Sequence, residues 1–384
     1  MEMKKVFIII KEDVVQYPPV LSMIQVLYDL NYKVIHIGVY SDIAQKKELE
    51  NIGVEFRNDI RLNTYSGYLK KIKEQLAFKR YVTKVLRSEY APGDIVCVVN
   101  EDTVCLLWNV IKQYDPILYF LELTGFNVRP KYRIYAPTFS LKKACQKVSK
   151  IICCEYNRAH IMKGLYQLDK LPYILPNKYY ATQSLKANTT IPQDVQMKIQ
   201  ALSEKIKGKK VVLYQGAFTS KERRLEEFIS AINAMPEDYV LIAMGGGTIY
   251  KDLKKVYSSE KVIFVDFIQP PYHLEVTRLA HIGVLSYFPN DKSLVDILNP
   301  IYCAPNKIFE YSKYSLPMIS NDLPSLKMVF QEYHCGETVG YPIDDIKIKE
   351  KLERIFQNYE MYSEGAKKFY DSVDVKLIIK EIMH

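Results

Sequence analysis

Residues 210–247 read "KVVLYQGAFTSKERRLEEFISAINAMPEDYVLIAMGGG", and the order of patterns in this stretch decides the fold. The run "KVVLYQ" is short, continuous and rich in β-branched and aromatic residues, as a strand buried on both faces reads. It ends at Gly216, and a polar, basic loop follows. Then come the helical segment "LEEFISAI" and a second buried strand, "YVLIAM", which ends in three glycines. Strand, helix and strand in that order need a crossover, so the two strands lie parallel with the helix over one face.

The alternation extends in both directions. Downstream, "KVIFVDF", "IGVLSYF" and "PMIS" are strands with helical segments between them. Upstream, "KKVFIII", "YKVIHIGV", "DIVCVV", "PILYFLEL" and "SKIICCE" alternate with segments such as "PPVLSMIQVLYDL" and "NRAHIMKGLYQL". The pattern weakens from about residue 178 to 208, where "ATQSLKANTTIPQ" is polar and rich in breakers. At 384 residues the chain exceeds one ordinary core. The expected fold class is α/β, with two tandem doubly wound, Rossmann-like domains facing across a cleft. The first spans 1–178, a linker 179–208 and the second 209–365, with a C-terminal helix over 366–384 that packs back on the first.

The composition, 48% hydrophobic and 25% charged, is that of a globular protein. No apolar run approaches the ~18 residues that cross a bilayer, and "MEMKKVFIII" runs directly into a strand, which points to a cytoplasmic address. The seven cysteines form no CxxC pair and mostly sit in apolar runs, where a free thiol behaves as a small core residue. Charge is uneven: residues 1–180 hold 27 Lys and Arg against 18 Asp and Glu, whereas the remainder balances at 26 against 26. Much of the excess falls in residues 67–87 and 131–150, which interleave Lys and Arg with aromatic residues. In the first stretch Leu69, Ile72, Leu76, Val82 and Leu86 recur near helical spacing, giving an apolar face with basic flanks. Anionic lipid headgroups, a phosphate-bearing acceptor and nucleic acid could each use such a surface, and a plain solvated helix face explains it equally. Nothing in the chain reads as a base-reading module, so nucleic acid ranks last.

In open α/β sheets the ligand lies beyond the carboxyl ends of the strands. After the strand at 210–215, Gly216 and the basic residues Lys221, Arg223 and Arg224 precede a helix, where an anion would meet free amides. Gly245, Gly246 and Gly247 would let backbone approach a ligand closely. In "CAPNKIFEYSKYSLP" (303–317), Pro305 sits at the start of a helix beginning at Asn306, and the first-turn amides with Lys307 form a diphosphate-sized anion site. Glu310 follows one turn later on the same face, an acceptor-only group suited to the two hydroxyls of a ribose. Read alone, it serves equally as a helix-dipole residue or a surface ion pair. On the acceptor side, Glu101 and Asp102 end one strand, and Glu122 and Thr124 end another. The six histidines show no ligand spacing and read as structural, and Trp108 reads as core.

"CAPNKIFEYSKYSLPMISNDLPSL" resembles the "PNKxFEYxxxGxPxIxSDxP" signature of glycosyltransferase family 4-like enzymes, the retaining group of the GT-B fold. The segments "LYQGAFTSKERRLEEFISAI", "LIAMGGG" and "VIFVDFIQPPYHLEVTRLAHIGVLSY" resemble that family's donor-domain elements in the same order, and "YILPN" resembles the strand that closes its first domain. The resemblance is strong over 211–325 and loose before 180. It implies a metal-independent hexosyltransferase with no cofactor beyond its donor substrate, a UDP- or GDP-type sugar, and a glycan or lipid-linked acceptor. The setting implied is bacterial-type cell-surface polysaccharide or glycoconjugate synthesis, with docking on the inner face of the membrane. Arg223 and Lys307 would meet the leaving diphosphate and Glu122 would orient the acceptor. Gly216, Arg224, Gly246, Pro305, Asn306 and Glu310 would bind the donor. The absence of an Asp-x-Asp motif agrees with a metal-independent site. The chain departs from the family at Tyr302, where a first glutamate is usual, at Ala217 in place of a basic residue, at Ser315 in place of glycine, and at Leu121 in place of histidine. Those departures leave two alternatives open, a non-catalytic glycosyltransferase-like subunit and a nucleotide-sugar 2-epimerase on the same fold.

Overall fold

The computed structural model describes residues 3–57, 68–123, 136–182, 191–219, 223–290 and 292–384. Lys221, Thr124, residues 67 and 131–135 of the two basic stretches, and residues 183–190 of the polar stretch lie outside the described residues. The chain forms two compact units, Thr189–Val373 on the one hand and Met1–Asn188 together with Asp374–His384 on the other.

Among the described residues, the first unit is built on seven parallel strands: β1 (Lys5–Asp13), β2 (Lys33–Val39), β3 (Glu55–Arg57), β4 (Ile95–Val99), β5 (Ile117–Phe120), β6 (Ile151–Cys153) and β7 (Tyr173–Ile174). Their spatial order is β3-β2-β1-β4-β5-β6-β7. The helices are α1 (Pro18–Asp29), α2 (Ile43–Asn51), α3 (Tyr68–Glu89), α4 (Glu101–Ile111), α5 (Leu141–Cys145) and α6 (Tyr156–Tyr166). Val6 to Ile10 in β1, an interior strand, are wholly buried, which is why β1 reads as an unbroken apolar run.

Leu76 and Trp108 depart from expectation. In α3 the buried stripe is Phe78, Val82, Val85 and Leu86, while Leu76 is 38% exposed. At 100° per residue Phe78 lies in line with Val82 and Val85, and Leu76 falls on nearly the opposite face. Trp108 is only partly buried, its ring edge-on to Phe139 at 6.3 Å. His36 is structural in an unusual way. It is fully buried in β2 between Tyr40 and Phe56, and neither ring nitrogen has a hydrogen-bond partner among the described residues. All seven cysteines are buried free thiols.

The second unit contains α7 (Gln193–Lys205), β8 (Lys210–Ala217), α8 (Glu226–Asn233), β9 (Tyr239–Gly246), α9 (Tyr250–Tyr257), β10 (Val262–Asp266), α10 (Leu274–Thr277) and β11 (Ile282–Leu285). It continues with α11 (Leu294–Ile301), α12 (Asn306–Ser312), β12 (Met318–Asn321), α13 (Pro324–Tyr333), β13 (Gly336–Val339), α14 (Asp345–Gln357) and α15 (Tyr359–Ser372). All strand pairings are parallel, in the order β10-β9-β8-β11-β12-β13. Alternate residues of β8 feed opposite cores, Val211 and Leu213 one, Val212 and Tyr214 the other. The strand order reverses between β8 and β11, and such a switch point opens a crevice at the carboxyl ends of those two strands. The last helix, α16 (Val375–Met383), belongs to the first unit and packs on α1, and Lys150 Nζ donates to the Ile382 carbonyl at 2.7 Å.

Candidate functional site

The switch point of the second unit gathers residues from four places in its sequence. β8 delivers Tyr214, Gln215 and Gly216, and the loop after it delivers Arg223. Tyr287 follows β11, and α12 brings Lys307 and Glu310. α12 begins at Asn306 as the sequence implies, with Pro305 at its N-cap and no side chain capping it. Its first amides are therefore left for another acceptor. A Cβ at Gly216, where φ is +137°, would sit 3.2 Å from Lys307 Nζ, so the bare backbone leaves room for the ammonium group.

The Lys307 ammonium lies 4.6 Å from the Tyr214 ring centre and 4.9 Å from that of Tyr287. The Arg223 guanidinium lies 4.0 Å from the Tyr287 ring centre. Among the described residues, neither Lys307 nor Arg223 has a carboxylate within ion-pair distance. Burial pulls the Lys307 ammonium well below the usual lysine range; the Arg223 charge adds to this and Glu310 opposes it. Ring faces attract cations, but they do not neutralise them. The two basic groups share the site with one acid, Glu310, which offsets their charge only in part.

Glu310 follows Lys307 one turn later in α12. Its Oε2 accepts from Gln215 Nε2 at 2.6 Å, and His273 Nε2, just before α10, approaches Oε1 to 3.4 Å. Burial pushes the Glu310 carboxyl up, but contacts with His273 and Gln215 and the Lys307 charge outweigh it and hold the group below the usual range. Tyr311, the next residue along α12, receives the Gln215 N–H at 3.3 Å and locks helix to strand. Sequence reading missed His273, Gln215, Tyr214 and Tyr287 as site residues. In the sequence His273 reads as structural because its partner is 37 residues away, and no local spacing announces such a pair.

The remaining expected residues fall elsewhere. Arg224 is occupied by Glu227 and lies over Phe288 at 4.8 Å. In the glycine run, a Cβ at Gly245 would meet the Gly216 carbonyl at 1.9 Å, and one at Gly247 the Phe218 carbonyl at 2.4 Å. Those two glycines let β9 pass β8, whereas Gly246 faces open space, with only Phe267 Cβ at 4.0 Å. Ser315, where the family carries glycine, has φ +57°, so the backbone keeps the glycine conformation without the glycine. In the first unit Glu122 is 67% exposed and pairs with the buried Arg158 at 3.0 Å.

No protein-family profile matches the chain, and no curated protein matches it by sequence. Solved structures do. HepE from Anabaena, in complex with UDP, superposes with a TM-score of 0.64 at 12% identity, over 99% of this chain and 98% of that one. WaaG, a glycosyltransferase involved in lipopolysaccharide biosynthesis, gives 0.62 at 15% identity over 98% of both chains. The fold is GT-B. A Listeria monocytogenes protein assigned as a UDP-N-acetylglucosamine 2-epimerase also shares it, with a TM-score of 0.59 at 12% identity over 95% of this chain and 91% of that one. At these identities the likeness is one of fold, and one scaffold serves more than one chemistry, so the side chains must carry the functional argument.

Proposed function

We propose that the chain is a retaining glycosyltransferase that moves a sugar from a UDP- or GDP-type donor to a glycan or lipid-linked acceptor in cell-surface polysaccharide or glycoconjugate synthesis. One observation carries the reading: Arg223 and Lys307 sit together at the switch point without carboxylate partners among the described residues, and Glu310 stands beside them. Two cations in a partly dry crevice repel each other, and a diphosphate relieves that cost. The Asn306 and Lys307 amides and the Gly216 backbone line the same place, and Glu310 accepts from the ribose.

As the bond from the anomeric carbon to the diphosphate oxygen breaks, charge grows on that oxygen, where Arg223 and Lys307 stabilise it. The acceptor hydroxyl bonds to the anomeric carbon on the same face, and its proton passes to the departing diphosphate. Glu122 is assigned to orienting the acceptor. Calorimetry with UDP, GDP, ADP and CMP tests the donor site. Selective binding of UDP or GDP by the wild type, lost in Glu310→Ala, supports it. No binding of any of the four would refute it and favour the non-catalytic alternative. The Listeria neighbour keeps the epimerase reading in view, and deuterium uptake at C2 of UDP-N-acetylglucosamine without acceptor would favour that chemistry instead.

Docking on an anionic membrane surface belongs to the same proposal. α3 turns Lys70, Lys71, Lys73, Arg80, Lys84 and Arg87 outward, and no described helix is long and apolar enough to cross a membrane. Each such cation near an anionic surface contributes ~1 kcal/mol. Flotation with phosphatidylserine vesicles should carry the wild type upward and lose it when Lys70, Lys71, Lys79 and Arg80 are neutralised. Failure of the wild type to float removes the idea.

A further inference from the structure

Glu310 is held by groups outside its own helix. Gln215 donates to one carboxylate oxygen at 2.6 Å, and His273 approaches the other to 3.4 Å. The Thr277 hydroxyl fixes the Gln215 amide by donating to its Oε1 at 2.7 Å, so the NH2 end must face the carboxylate. His273 Nδ1 is buried without a hydrogen-bond partner among the described residues. A ring proton there would have no acceptor, so the proton belongs on Nε2, facing Glu310. At 3.4 Å the contact is longer than a formed hydrogen bond, as polar contacts in unliganded sites often are before a ligand tightens them.

An ionised carboxylate offers about four lone-pair sites. Gln215 and His273 take one on each oxygen. About two remain, again one on each oxygen, which matches the two neighbouring hydroxyls of a ribose. Without His273, Gln215 alone among the described residues would restrain the carboxylate, and one oxygen could turn away.

We propose that His273 is a positioning residue for Glu310, and that this pair makes the site select nucleotides carrying both ribose hydroxyls. The inference rests on the donor reading given above. Calorimetry tests it with UDP, 2′-deoxy-UDP and inorganic pyrophosphate against the wild type, His273→Ala, His273→Gln and Glu310→Ala, with GDP and 2′-deoxy-GDP in parallel. A hydrogen bond to a charged group corresponds to roughly tenfold or more in affinity, so the wild type should prefer the ribonucleotide by about that factor. In His273→Ala the preference should fall to about threefold or less while pyrophosphate binding is unchanged. His273→Gln keeps an N–H at similar reach and should restore most of the preference. A His273→Ala protein that keeps the wild-type preference, or that weakens pyrophosphate as much as UDP, overturns the proposal. If the wild type binds neither UDP nor GDP, the donor reading itself fails, which is a separate result.

Discussion

Replacing His36 with leucine should remove a specific acid sensitivity from the first unit. The imidazole is wholly enclosed, packed against Phe56 at 5.5 Å and Tyr40 at 6.2 Å, and both its nitrogens lack hydrogen-bond partners among the described residues. Burial, with a smaller contribution from the Lys46 charge, lowers its pKa to about 3. The folded state thus binds the proton more weakly than the unfolded state, in which histidine titrates near ~6.5. Between those values the unfolded chain holds more protons, so stability is complete above about 6.5 and falls as the pH drops toward 3. At pH 5 the unfolded histidine is almost fully protonated, and the loss relative to neutral pH is about 2 kcal/mol. That figure hardly changes so long as the folded value lies well below 5. Trp108 is the only tryptophan and lies in the same unit, so its fluorescence reports urea unfolding of that unit alone. Between pH 7.5 and 5 the wild type should lose about 2 kcal/mol more than His36→Leu. At pH 7.5 the variant should match or exceed the wild type, because two unpartnered buried nitrogens are gone. Equal losses in both proteins would refute the argument.

Three further outcomes are expected. Lys307→Met should weaken UDP or GDP binding about 10- to 100-fold in calorimetry while leaving thermal stability equal or higher, since a buried cation without a carboxylate partner is removed. Ser315→Gly should raise stability by about 0.5 to 1 kcal/mol in chemical unfolding, because a left-handed serine becomes a glycine, partly offset by the freer unfolded chain. Removing Asp374–His384 should move the Trp108 transition sharply to lower urea, since Val375, Ile379, Ile382 and Met383 are buried and each apolar side chain contributes ~1.5 to 3 kcal/mol.

What the sequence exposed was the part governed by short-range pattern. "VFIII" and "VVLY" are unbroken apolar runs because their strands are covered on both faces, and the alternation with helices then dictated two parallel sheets. The start of α12 was legible because Pro305 punctuates it. The supports of the site were not, because they depend on register between distant segments. Gln215 reaches Glu310 only because β8 and α12 lie against each other, and His273 only because α10 packs on α12. The glycine run shows the opposite error, since a ligand loop and a tight backbone crossing leave the same letters. Gly245 and Gly247 are explained by their approach to Gly216 and Phe218, with no ligand needed.

The placement of α16 also bears on how the protein is made. The helix that covers α1 leaves the ribosome only after the whole of Thr189–Val373. At ~5 to 20 residues per second that intervening stretch takes roughly 10 to 40 s to synthesise. Throughout that interval the nascent first unit presents an apolar seam to solvent, while the second unit, continuous in sequence, already has all it needs to close. The unit encoded first is therefore the one completed last, and during translation it is the natural client for a chaperone.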